Sequence, residues 1–209
     1  RDVEQKILQL GHEVQKLLKG AVLSLDPKHR RLAHEVLQQD AAIDQMELAI
    51  NEECIDLLAL RQPMAKDLRF IVSSIRFATD LERIGDLACN VAHRAVDLGE
   101  GPLVKPLVDI PRMGDLANQM LEDTLQAFLQ KNPELAERVR LKDHEVDELR
   151  TNVVAELIQK MQERPDQIPQ ALPLILAARH IERLCDHITN IAEDIIYMVE
   201  AKVVRHSVE

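Results

Sequence analysis

Glu82-Arg83-Ile84-Gly85-Asp86-Leu87-Ala88-Cys89-Asn90 recurs about a hundred residues later as Glu182-Arg183-Leu184-Cys185-Asp186-His187-Ile188-Thr189-Asn190. Glu, Arg, Asp and Asn keep their spacing, and Ala92 and Ala192 follow at the same distance. A repeat of this period implies two similar halves. Each copy also places a Glu and an Asp four residues apart. On a helix that spacing puts both carboxylates on one face, where they repel.

Working outward, every long stretch has helical periodicity. The first half reads as helices from about Val3 to Ser24, His29 to Leu60 and Met64 to Leu98, broken at Asp26-Pro27 and Gln62-Pro63. The third of these would run roughly 50 Å. Leu98-Gly99-Glu100-Gly101-Pro102 and Lys105-Pro106 form the Gly/Pro-rich stretch near the midpoint, read as the junction of the halves. The pattern then returns from about Pro111 to Gln130, Glu134 to Arg164 and Gln170 to Val203, with Pro173 expected in the first turn of the last helix. The expected fold is all-α: two tandem three-helix bundles related by pseudo-two-fold symmetry, one over residues 1–101 and the other over 102–209.

Composition agrees with this reading. Hydrophobic residues make up 46% of the 209, enough for a sizeable core, yet aromatics are only 2% and Trp is absent. A core of Leu, Ile, Val and Ala suits interlocking helices better than a sandwich of strands. The formal net charge of −10 argues against nucleic acid as a partner and for cations or basic protein surfaces. Cys54, Cys89 and Cys185 are sparse, odd in number and outside any CxxC pair, which reads as reduced thiols. The opening residues are amphipathic and charged, unlike a signal peptide. The apolar run Ala171–Ala178 is far too short to span a bilayer. A cytoplasmic protein without membrane insertion is expected. The chain opens at Arg1 rather than Met, so residues are expected to precede it.

The second helices match as well. Asp40 and Asp44 align with Asp143 and Asp147, again two acids one turn apart. Each half thus offers two acid pairs: Asp40/Asp44 with Glu82/Asp86, and Asp143/Asp147 with Glu182/Asp186. At 100° per residue, Glu82 and Asp86 lie about 40° apart, with Ile84 and Val91 on the opposite side. The acid stripe is therefore expected to face outward. If the pairs of each half face each other across adjacent helices, they form an oxygen-rich site suited to hard cations or iron. Asn90 and Asn190, one turn further on, would add amide oxygens. The candidate metals are iron, manganese, magnesium or zinc.

The plainer reading is a solvated helix face, its acids neutralised by Arg83 and Arg183, with Arg76 four residues from Asp80. His93 lines up with Glu82 and Asp86, but Glu193 replaces it in the second half, so it reads as a surface histidine. His180 and His187 flank the second motif without counterparts in the first. Cys89 and Cys185 occupy different repeat positions, which reads as packing rather than a shared thiolate site. No Glu-x-x-His, phosphate-binding glycine loop or nucleophile elbow occurs, so no enzyme is expected.

At Asp80–Asp86 and Ile181–Ala192 the chain resembles the PhoU family of phosphate-transport accessory proteins. The resemblance extends over nearly the whole length and includes Glu193-Asp-Ile-Ile-Tyr-Met-Val199. It implies multinuclear metal binding at the four acid pairs named above. It also implies a cytoplasmic negative regulator of the phosphate-starvation response, linking the ATPase of a phosphate ABC transporter to a sensor histidine kinase. A homodimer or higher oligomer is expected too. Leu184-Cys185 departs from the usual Ile-Gly, which bears on how closely helices approach there. Two other readings stay open: a metal-storing or metal-dependent carboxylate protein, and an accessory subunit of another phosphate or metal transporter.

Overall fold

The structure, a computed structural model, describes residues 2–99, 101 and 103–204. Glu100 and Pro102 of the expected junction lie outside them. Among the described residues there are helices and no strands. The long helices are α1 (Asp2–Leu23), α3 (Asp40–Arg61), α4 (Ala65–Asp97), α5 (Asp109–Gln130), α6 (Pro133–Glu163) and α7 (Ile168–Glu200). A short α2 (Leu32–Leu37) sits between α1 and α3.

Spacing builds these helices and capping ends them. Val3, Ile7, Leu10, Val14, Leu17, Leu18 and Ala21 form one buried stripe along α1. Beyond its end, the Asp26 side chain accepts a hydrogen bond from the Lys28 N–H at 2.9 Å, starting a 3-10 turn over Pro27–His29. The opening of α6 combines two start signals: Asn132 Oδ1 accepts from the Leu135 N–H at 2.9 Å, and Pro133 occupies the first turn.

Two expectations are corrected here. The second helix is not one rod from His29 to Leu60. The chain turns at Gln38–Gln39, and α3 begins at Asp40. No Gly or Pro marks that break, so a reading of periodicity runs through it. The last helix begins at Ile168, with Pro169 in its first turn. Pro173 therefore falls a turn deeper, buried inside the helix. Its missing N–H withdraws one early backbone hydrogen bond there. The helix stops at Glu200, where Ala201 takes a left-handed φ of 58° and donates to the Tyr197 carbonyl at 2.9 Å.

α1, α3 and α4 form one half and α5, α6 and α7 the other. α3 packs on α4 and α6 on α7, while α4 lies against α7 and α1 against α5 to join the halves. One contiguous apolar core runs through both. All three phenylalanines meet at the junction: Phe128 of α5 packs edge-on against Phe77 of α4 at 5.1 Å and stacks on Phe70 at 6.3 Å. This pairing leaves the α3/α4 and α6/α7 seams, which carry the acid pairs, on opposite flanks of the central α4/α7 pair.

Candidate metal centre

The helix break before Asp40 shapes the first-half site. It places Asp40 in the first turn of α3, where the helix dipole favours a negative charge. Asp44 follows one turn later, and Asp86 reaches across from α4. Carboxylate oxygens of Asp40, Asp44 and Asp86 lie within 4.8 Å of one another. The helices come this close because Gly85 stands beside Asp86. A Cβ there would already be 3.2 Å from Ile43 Cγ2. The second half has Val146 and Cys185 at the matching register, both buried: Val146 is smaller than Ile43 and Cys185 larger than Gly85.

Electrostatics in this cluster are strained in one direction. The Asp44 carboxyl is raised above its ordinary range, by loss of hydration and then by Asp40, Asp86 and Glu47. Glu82 is raised likewise, by burial and then by Asp86, with Arg83 pulling it back. Arg83 reaches Asp86 at 3.2 Å and Glu82 at 3.5 Å. Its side chain is 57% exposed, so water screens most of what it could offer. The Cys89 thiol donates to Asp40 Oδ1 at 3.3 Å, and burial followed by that bond pushes its pKa up strongly. It acts as a protonated donor beside the acids. A hard cation fits this donor set, since it would be met by oxygens and would lower the repulsion that raises Asp44 and Glu82.

The second half gathers its acids differently. Glu182 is raised by burial and then by Asp186; Arg150 opposes this and Asp147 adds to it. The fully buried Cys185 thiol is pushed up by burial, then by Asp143, Asp186, Asp147 and Glu182. All four predicted acids thus act electrostatically on one thiol. Asp143, however, is buried, which corrects the expectation that every acid faces outward. α6 runs unbroken through this point and carries Asp143 mid-helix, whereas the chain turns just before Asp40.

The asparagines take separate positions. Asn90 is half-buried on α4. Asn190 is exposed and lines a cavity of about 520 Å³ between α4 and α7, beside Arg76, Asp80, Asp194 and Tyr197. His93 is exposed, as expected. His187 is not a loose flank of its motif: its Nδ1 lies 2.7 Å from Asp80 Oδ1, across the halves. Arg76 ignores Asp80, four residues away, and donates to Asp194 Oδ1 at 3.0 Å. Sequence reasoning missed both cross-half pairs, because spacing within one helix says nothing about a partner more than a hundred residues away.

Comparison with known proteins identifies the family. The PhoU domain matches residues 7–95 and again 110–195. The chain is 40% identical over 206 residues to the phosphate-specific transport system accessory protein PhoU homolog of Pseudomonas aeruginosa, covering 98% of this chain and 85% of that protein. It is 38% identical to the homolog of Aquifex aeolicus, covering 98% and 93%. The crystal structure of PhoU from Pseudomonas aeruginosa superposes with a TM-score of 0.90 at 39% identity, covering 96% of this chain and 97% of that one. The phosphate transport system regulatory protein PhoU from Streptococcus pneumoniae gives 0.91 at 32%, covering 98% and 96%. With both repeats matched, relatives aligned nearly end to end and the same arrangement of helices, the chain belongs to the PhoU family.

Proposed function

We propose that this protein is a cytoplasmic regulatory accessory of phosphate uptake. It represses phosphate-starvation signalling by bridging the ATPase of a phosphate ABC transporter and a sensor histidine kinase. The observation that carries this reading is its end-to-end similarity to proteins named as phosphate-specific transport system accessory proteins. No helix among the described residues is long and apolar enough to cross a membrane, which suits a protein that docks on membrane partners. The role is non-catalytic, in keeping with the accessory proteins it resembles, and the three thiols, raised by burial, offer no ready nucleophile.

Asp40, Asp44 and Asp86, with Glu82 beside them, would hold a metal in the first half. Asp143, Asp147, Glu182 and Asp186 would do so in the second. A bound cation supplies positive charge that ties α3 to α4 and α6 to α7. A homodimer is part of the proposal. Its support is apolar surface left open on and after α3: Leu48, Ile55, Leu60 and Met64 are all exposed. Sedimentation as a monomer of 23.8 kDa at micromolar concentration would remove that part.

The regulatory reading is tested by deletion in the native host with a reporter driven by a starvation promoter. Loss of the protein should leave the reporter on in high phosphate, and the intact gene should restore repression. A reporter that still switches off, with no second copy of the gene, would refute the adaptor role and favour the metal-carboxylate alternative.

A further inference from the structure

Beyond the acid seams, one cavity stands out by its charge. It measures about 530 Å³ and is lined by Pro27, Arg30, Arg31, His34, Val96 and Gly99. Two of its six lining residues are arginines and a third is a histidine. Arg30 is the half-buried member. Its Nη2 makes a long bond of 3.3 Å to the Leu25 carbonyl, while its Nε and Nη1 are shielded from solvent and have no hydrogen-bond partner among the described residues. Burial lowers its pKa, and Asp26 is the acid that opposes this. Arg31 is 91% exposed at the rim and holds Glu35 at 3.5 Å, a contact that water largely screens. Leaving two guanidinium N–H groups unpaired out of water is costly, and an oxyanion is the partner whose geometry answers them.

The repeat supplies an internal comparison. Shifted by the offset that relates Asp40 to Asp143, the residues Arg30, Arg31 and His34 become Pro133, Glu134 and Glu137. These three line a second cavity, of about 250 Å³, with Ile196 in the place of Val96. There the charged lining is Glu134, Glu137 and Glu200 against Lys202. The fold thus builds this hollow twice and does not require cations in it. The basic lining belongs to the first half alone.

We infer that the cavity around Arg30 is a binding site for a phosphate-type oxyanion, either inorganic phosphate or the phosphoryl group of a larger molecule. Arg30 lines the cavity and is held only by the long Leu25 bond, so its guanidinium would turn into the cavity to donate to two oxygens, with Arg31 and the His34 imidazole at the rim. Two guanidinium groups with an imidazole beside them favour a dianion over a single carboxylate. This inference stands on the cavity alone and is independent of the metal and adaptor readings.

The test is calorimetric titration of the full chain in chelator, which prevents a metal at the acid seams from capturing the anion. The probes are inorganic phosphate, phosphoserine and acetate. Saturable binding of phosphate or phosphoserine is expected, weakened about tenfold or more in Arg30→Gln. Tighter binding of phosphoserine would assign the site to a phosphoryl group on a larger molecule; tighter inorganic phosphate would assign it to the free ion. If Arg30→Gln does not fold, the rim pair Arg31→Gln with His34→Gln carries the test and should weaken binding severalfold. The inference is overturned if neither phosphate probe binds, or if acetate binds as tightly. It also fails if the folded variants bind like the parent, or if Glu134→Gln with Glu137→Gln causes the same loss.

Discussion

Leu125 fills the space over Gly11. A Cβ on Gly11 would lie 2.4 Å from Leu125 Cδ2, so α1 and α5 can meet only because residue 11 has no side chain. The contact is reciprocal. Val22 of α1 covers Gly114 of α5, with its Cγ1 2.6 Å from where a Cβ would stand. Gly11 and Gly114 are repeat-related, as are Val22 and Leu125, so the pseudo-two-fold axis passes between the two contacts.

Alanine at either glycine should therefore strain the junction of the halves. The costs differ because Val22 is β-branched and presents three carbons within 3.1 Å, whereas Leu125 can turn its terminal methyls. Gly114→Ala should lose about 1–2 kcal/mol after the helix-propensity gain is subtracted, and Gly11→Ala should lose less. Urea melts measure both. Adding Val22→Ala to Gly114→Ala should recover part of the strain but forfeit buried methyls.

The acid seam makes a second prediction. Without metal, Asp86→Asn should stabilise the chain by about 0.5 kcal/mol, since it removes one of three converging charges. With manganese, magnesium or iron at a hundredfold excess over its Kd, each seam should add about 2.7 kcal/mol, and Asp44→Asn with Asp86→Asn should lose the first seam's share. Thermal melts with and without chelator read the difference. Equal metal-induced shifts in parent and variant would reject the seam as the binding site.

Arg76 and Asp194 predict a pH dependence. Burial raises the Asp194 carboxyl above its ordinary range, while its bond to Arg76 pulls it down. Arg76→Gln removes the restraint, so the folded-state value should rise further. A carboxyl raised on folding binds its proton more tightly in the native state, and the stability this confers is lost as pH rises through the folded value. The variant should thus be about 1–2 kcal/mol less stable at neutral pH. The deficit should shrink on acidification through the window just above the ordinary carboxylate range. A constant deficit from neutral to acid pH would contradict the account.

The cysteines should be slow to react. Burial, then Glu53, pushes Cys54 up to about 11, with Lys6 opposing. Cys89 and Cys185 are raised further by burial and neighbouring acids. Because the thiolate is the reactive form, a thiol reagent should label the native protein slowly and all three sites only after denaturation. Rapid native labelling at Cys89 would show that the Asp40 bond does not hold in solution.

Much of this molecule was legible in one dimension. The recurrence of Glu82-Arg83-x-x-Asp86 at Glu182-Arg183-x-x-Asp186 implied two like halves. The apolar spacing in α1, α4, α5 and α7 marked helices and their buried faces, because 3.6-residue periodicity is a local property of the chain. The acid pairs were visible for the same reason: partners four residues apart on a helix are neighbours whatever lies around them. Tertiary packing decided the rest. It turned the chain at Gln38–Gln39 without a Gly or Pro to announce it, and set Asp40 at the start of a helix. It buried Asp143 while leaving Asp44 exposed. It gave Arg76 to Asp194 and Asp80 to His187. Each of these depends on the register between helices far apart in sequence. That register is set by how glycines, valines and leucines interlock across the core, and no window along a single helix contains it.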